Sequence, residues 1–144
     1  MRMDLGKLSR EGYIKPVGKD ARIVENALKA AEKDLTSAKR TVAMGDLDWA
    51  LAMAYSSMLQ AGIALMNSMG YRPAAEGSHL AVVKFAAEAL PKESGELMNR
   101  FNKLRIRRHT VIYEERGTVT REEVEGAVAR AQEFIKVVRG MLAR

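Results

Sequence analysis

Between Leu47 and Met69 the chain reads LDWALAMAYSSMLQAGIALMNSM, and Asp48 is the one charged residue in that run. A helix apolar on every side must be buried on nearly every side or lie in a membrane. Ser56, Ser57, Gln60, Asn67 and Ser68 are spread along the segment, and its neighbours are amphipathic, so it reads as the central helix of a bundle. One side is expected to pack the core. Another, around Tyr55 and Leu59, is expected to pack a second subunit, which makes the chain a homodimer. The nine methionines fill gaps in such an aliphatic interior and require no cofactor.

Glycine and proline punctuate the rest. Residues 1–19 carry Gly6, Gly12, Pro16 and Gly18 and read as an N-terminal arm with one short helical turn around Leu5 and Leu8. From Asp20, a suitable cap, an apolar pattern through Ile23, Ala27, Ala31, Leu35 and Ala38 predicts a first helix that stops near Gly45. The second follows Asp46 and ends at Gly70. The YRP loop leads to a third over roughly 76–90, and Pro91 suits the first turn of a fourth that runs to about Glu115. Thr120 with Glu123 three residues later is a capping box, and the spacing of Val124, Val128, Ala131, Ile135, Val138 and Leu142 predicts a fifth helix to the C-terminus. Aromatic residues make up only 6% of the chain and there are three prolines, which favours helix over sheet. The expected fold is all-α, an antiparallel four- to five-helix bundle, with residues 1–144 as one domain and the bundle itself over 20–144. Without cysteine there are no disulfides and no thiolate metal sites. MRMDLGKLSREGYI lacks an apolar run long enough for a signal peptide, so a cytoplasmic location is expected.

Chemistry concentrates in KLRIRRHTVIYEE, residues 103–115, within a chain of net charge +6 and pI 9.7 that permits an anionic partner. At ~100° per residue, Leu97, Phe101, Leu104, Val111 and Ile112 share one apolar arc of the fourth helix. Arg108 falls in the middle of that arc and Arg105 just inside its edge, whereas Arg100, Lys103 and Arg107 lie on the opposite flank as ordinary solvated charges. A guanidinium aimed into an apolar stripe must be paired or face a polar cleft. Two readings stay open for Arg108: an ion pair with a core-facing acid, Asp34 or Asp48, or the lining of a groove that receives phosphate. Arg105, His109 and Tyr113 stand four apart and form one ridge, which places His109 in a polar groove.

Rival motifs are weaker. Glu76 and His79 spell Glu-x-x-His, the half-site of a di-iron bundle, but such sites need two pairs and additional glutamates, so no metal and no other cofactor is expected. His79 reads better as a helix-start or groove residue. No phosphate-binding Gly-rich loop, dinucleotide fingerprint, HExxH or nucleophile elbow is present in the sequence. The basic cluster sits in mid-helix, and no turn residues separate two short helices around it, which disfavours a helix-turn-helix DNA binder.

The segments GDLDWALAMAYSSMLQAGIALMNSMGYRP and RRHTVIYEERGTVTREEVEGAVARAQEFI, with AEKDLTSAK before them, resemble small stand-alone HEPN-domain proteins of bacteria and archaea. The likeness runs from about Ala27 over nearly the whole remaining chain. It implies a four-helix core, dimerisation with the motif helices meeting across the interface, and roles in binding nucleotide or RNA. The family includes metal-independent RNases and partners of minimal nucleotidyltransferases in toxin–antitoxin pairs. Its motif is Arg, a polar residue, three of any kind, then His. Here that becomes Arg108, His109, Thr110 to Ile112, and Tyr113 in place of the histidine. A phenol of ordinary pKa near ~10 is a poor base at neutral pH. The resemblance therefore implies a nucleotide- or RNA-binding, toxin-type partner of a nucleotidyltransferase, with a groove of Tyr55, Arg105, Arg108, His109 and Tyr113. The alternative is an endoribonuclease of altered motif that uses Arg108, His109 and Tyr113 as its catalytic residues.

Overall fold

Capping chemistry sets the helix ends. In the computed structural model, which describes residues 4–75 and 78–144, the Asp20 carboxylate accepts from the Arg22 N–H at 2.9 Å and opens helix α2 (Ala21–Ala43). It follows a short helix α1 (Leu5–Arg10). Gly45 and Gly70, with φ of 81° and 84°, stop α2 and the next helix, α3 (Leu47–Ser68), in a left-handed conformation that L-residues avoid. Ser78 caps α4 (His79–Ala89) by accepting from the Ala81 N–H. Helix α5 (Gly95–Tyr113) starts later than Pro91 suggested. Leu90 precedes the proline and is held extended, and a turn of 3-10 helix, Lys92–Ser94, intervenes. Thr120 Oγ1 accepts from the Glu123 N–H at 3.1 Å and opens α6 (Arg121–Leu142). Only that half of the expected capping box forms as written, because the Glu123 carboxylate is turned to Arg107.

The fold is all-α, as expected, with one addition. Strands β1 (Ile14–Pro16) and β2 (Tyr71–Pro73) pair antiparallel, Ile14 opposite Pro73 and Pro16 opposite Tyr71. Three-residue strands that each contain proline carry no period-2 signal, so only the tertiary fold brings them together. The pairing ties the N-terminal arm to the end of α3. Farther along the arm, Leu8 is buried, the Asp4 N–H donates to Glu88 Oε1 at 3.0 Å and the Lys84 ammonium sits 4.8 Å over the Tyr13 ring.

Helix α3 is the axis. It is long and apolar enough to cross a membrane, with a mean hydropathy of 1.3 over its most apolar stretch, yet 61% of that stretch is buried inside the protein. One side meets α2, where Ser57 Oγ donates to the Ala31 carbonyl at 2.8 Å and Ser56 Oγ to Asp34 Oδ2 at 2.7 Å. The opposite side enters the main apolar cluster with Phe85 of α4, Phe101 of α5 and Phe134 of α6. A second cluster, including Leu51, Val111, Val119 and Val124, fills the end where the α5–α6 loop returns. Two expectations are corrected. Ile23 does not join the core; it is 44% exposed at the start of α2, before that helix reaches its neighbours. Tyr55 does not face a second subunit: it is 2% exposed and packs on His79 and Phe101 inside the same chain. Leu59, named with it, is partly exposed, on a side of α3 that also carries Trp49, Met53, Gln60 and Ile63.

The closest approach occurs at Gly62. A Cβ there would stand 2.5 Å from Val82 Cγ1 and 3.9 Å from both Phe101 and Phe134. Val82 is buried and β-branched, so it has no spare rotamer to yield. On Gly126 of α6 nothing lies within 4 Å of the same position. Gly126→Ala should raise unfolding free energy by up to ~1 kcal/mol, the helix-propensity gain alone. Gly62→Ala should lower it by up to about 2 kcal/mol, since overpacking of about 1–3 kcal/mol is set against the same gain. Urea denaturation followed by circular dichroism measures both, and equal shifts in the two variants would contradict the packing described.

Candidate functional site

Helix α5 presents three different faces, and each cation of the KLRIRRHTVIYEE segment belongs to one of them. Arg107 points toward α6. Its Nε donates to Glu123 Oε2 at 2.7 Å and its Nη2 to Glu123 Oε1 at 3.1 Å, a two-pronged pair, while further bonds reach Glu115 and the Thr118 carbonyl and hydroxyl. The expectation of a solvated Arg107 is therefore wrong: its side chain is 27% exposed and clamps the α5–α6 loop. The wheel placed it correctly on the flank but could not show that α6 covers that flank. A cleft of about 280 Å³ beside it is lined by Arg100, Lys103, Arg107 and Arg130 over Leu51 and Leu104. Two of its cations are already occupied, Arg107 by Glu123 and Arg100 by Glu96.

The outward face carries His109 and Tyr113. Their rings are 4.8 Å apart and Tyr113 is 67% exposed, so these two members of the predicted ridge lie in solvent and Arg105 does not join them. Ile106, 51% exposed, continues that face.

Arg105 and Arg108 occupy the third face, turned toward α3 and α4, and both are half-buried. Neither has a carboxylate within ion-pair distance among the described residues; Arg105 Nε donates to Asn102 Oδ1 at 3.1 Å. The two acids proposed for Arg108 are engaged elsewhere. Asp34 accepts from Ser56, and Asp48 accepts from Arg116 Nε at 2.9 Å and from the Gly117 N–H at 3.0 Å. The Arg116 bond is the main reason why the Asp48 carboxyl lies below its ordinary range. Arg116 also stacks 5.0 Å over Trp49, so Asp48 and Trp49 together hold the loop after α5 against the start of α3. The ion-pair reading of Arg108 is thereby excluded for both named partners.

What Arg108 does approach is the Tyr55 ring, at 5.9 Å, and the His79 ring lies 5.6 Å from the same tyrosine. The Tyr55 hydroxyl is buried and has no hydrogen-bond partner among the described residues, an omission that ordinarily costs about 1–3 kcal/mol. Burial, opposed in part by Arg105 and Arg108, pushes the phenol up to about 12. Burial also lowers the His79 pKa, and Arg108 and Arg105 add to that by repelling the imidazolium. His79 is the first residue of α4, so the positive end of that helix lies on the same side. Glu76 lies outside the described residues. His79 lies beside the Tyr55 ring that Arg108 also approaches, and sequence spacing alone gave no sign of that, because α4 and α5 meet only through the fold. Of the expected groove, Tyr55, Arg105 and Arg108 come together, while His109 and Tyr113 stand on the neighbouring face.

Two measurements follow from these contacts. Arg107→Ala should lower unfolding free energy by about 2 kcal/mol, since charge-assisted bonds are worth about 1.5–3 kcal/mol each before solvent exposure reduces them. Arg108→Ala should change it by less than ~1 kcal/mol, in contrast to the loss of 3 or more that breaking a buried ion pair causes. Because the folded pKa of His79 is below its unfolded value of 6.5, the unfolded chain takes up that proton first as the pH falls. The stability contributed by neutral His79 is therefore complete above about 6.5 and lost as the pH drops through and below it. Nuclear magnetic resonance titration of the imidazole should place His79 below 6.5 and show it rising in Arg108→Ala; an unchanged value in the variant would remove the arginine from its surroundings.

The bundle and the motif helix agree with one outside finding. No curated protein matches the chain at a significant level. The sequence model of the HEPN domain matches residues 24–141, which includes α3, α4, α5 and nearly all of α2 and α6. With that span of its 144 residues accounted for, the chain belongs to the HEPN-domain family.

Proposed function

We propose that this chain binds RNA or nucleotide through phosphate at Arg105 and Arg108. In this reading it works in the cytoplasm as a homodimer and is the toxin-type partner of a minimal nucleotidyltransferase. The observation that carries the binding reading is the half-burial of two guanidiniums without a carboxylate partner among the described residues. A half-buried arginine pair with no carboxylate partner among the described residues attracts an anion, and planar guanidiniums match phosphate oxygens. The net charge of +6 favours the same class of ligand. Family membership supports a role related to nucleotides or RNA, and the resemblance to toxin–antitoxin members is what suggests the protein partner. The dimer is supported by the apolar groups left at the surface on α3 and α5, Trp49, Ile106 and Tyr113.

The endoribonuclease reading keeps one favourable observation, the contact of His109 with Tyr113 one residue beyond Arg108. Tyr113 stands where the family's RNases have histidine, and a phenol is a poorer general base than an imidazole at neutral pH, which argues for binding over cleavage.

Fluorescence anisotropy with a single-stranded RNA should show affinity falling as salt rises, with a slope of roughly 0.7 in log–log form for each phosphate contact. Arg108→Ala should weaken binding and reduce that slope by about one contact while the fold persists. Light scattering at micromolar concentration should give twice the 16.0 kDa chain mass. Absence of RNA and nucleotide binding, or a salt slope unchanged in the variant, would overturn the binding reading. Robust cleavage of the RNA in chelator, lost in His109→Ala or Tyr113→Phe, would establish the enzyme instead.

A further inference from the structure

Around the Tyr55 ring, the His79 ring lies at 5.6 Å and the Arg108 guanidinium at 5.9 Å, and the Arg105 charge acts on both Tyr55 and His79. Tyr55 comes from α3, His79 from the start of α4, and Arg105 and Arg108 from α5. All four offer N–H or O–H donors, and no carboxylate is paired with either arginine among the described residues. The decisive group is the Tyr55 hydroxyl. It is buried, without a hydrogen-bond partner among the described residues, and carried by a side chain only 2% exposed, with His79 and Arg108 lying against its ring. At about 12 its pKa keeps it an O–H donor at neutral pH.

We propose that Tyr55, His79, Arg105 and Arg108 form a receptor for a terminal phosphate monoester, the end of an RNA strand or a free nucleotide, rather than for a phosphate within a strand. The inference rests on the RNA- or nucleotide-binding reading and makes it more specific. A monoester carries a charge of about −1.5 to −2 and three terminal oxygens, enough to occupy donors on three sides. An internal diester carries one charge and two free oxygens, and sugars flank it on both sides. The positive end of α4, whose first residue is His79, adds to the attraction. The occupied site also supplies a partner for the hydroxyl, which has none among the described residues.

The test compares one RNA oligonucleotide bearing a 5′-phosphate with the same strand ending in a 5′-hydroxyl, with AMP and adenosine as competitors. The phosphorylated strand should bind about tenfold tighter or more, because a hydrogen bond to a charged group of the size expected from Tyr55 corresponds to at least one decade. AMP should displace it and adenosine should not. Tyr55→Phe should fold with a midpoint in urea no lower than that of the wild type, since it removes an unsatisfied hydroxyl, and should reduce the preference to below threefold. His79→Gln should reduce the preference in part, which gives a second reading independent of Tyr55. Preference for the phosphorylated strand without competition by AMP supports the site and assigns it to strand ends. Equal binding of the two strands overturns the terminal-phosphate receptor and leaves RNA binding standing. No binding of either strand or of AMP overturns both readings, and a full preference retained in Tyr55→Phe removes Tyr55 from the site.

Discussion

The rest of the molecule depends on the burial of α3. A helix with one charge from end to end has no side that favours water, so other elements must be laid along it until most of its surface is covered. Helix α2 takes one side, where small residues allow close approach and two serines spend their hydroxyls on Ala31 and Asp34. The remaining sides take α4, α5 and α6 around Gly62, which lacks the Cβ that would collide with Val82. The positions of the motif residues follow from that packing. Phe101 is fixed against Tyr55 and Phe134, at 6.0 and 5.2 Å, and its place in the core decides which way every other residue of α5 points.

Once Phe101 is fixed, the three neighbouring arginines separate by about 100° per residue into different environments. Arg107 meets Glu123 and becomes a structural clamp. Arg108 and Arg105 meet a phenol and an imidazole and remain without a counter-ion among the described residues. Adjacent residues of one type thus carry opposite roles, and the difference is the presence of an acid on the element opposite. The same logic explains Asp48, which the apolar helix tolerates because it lies at the N-terminal turn and receives two bonds from the loop after α5.

The N-terminal arm and the α5–α6 loop add polar contacts to their buried apolar anchors, Leu8 and Ile14 in the arm and Val119 in the loop. Asp4 on Glu88, Lys84 over Tyr13, Arg116 on Asp48 and Arg107 on Glu115 all lie at or near the surface. Such bonds contribute little individually, about 0–1 kcal/mol when exposed, so these segments depend on the helices they touch rather than the reverse. The Arg107 and Glu123 pair is the exception, because both partners are half-shielded and share two bonds.

Much of this was legible in the sequence. Apolar spacing and capping residues located five helices, since both are properties of neighbours within one turn or two, and the uncharged run from Leu47 to Met69 marked the central one. The wheel also separated Arg108 from Arg107 correctly. What each face meets could not be read there. The distance from Tyr55 to Arg108 is 53 positions along the chain and one ring in space, and Glu123 reaches Arg107 across a loop whose return path depends on Val119 and Val124 being buried. The short β1–β2 ladder and the place of His79 were illegible for the same reason. Sequence by itself determined the helices, their polar and apolar faces and the excess of positive charge, because these follow from local periodicity and composition. Only the tertiary structure decided which arginine meets a carboxylate and which meets a tyrosine ring, and which tyrosine lies in the core, because those outcomes depend on partners that packing brings from distant parts of the chain.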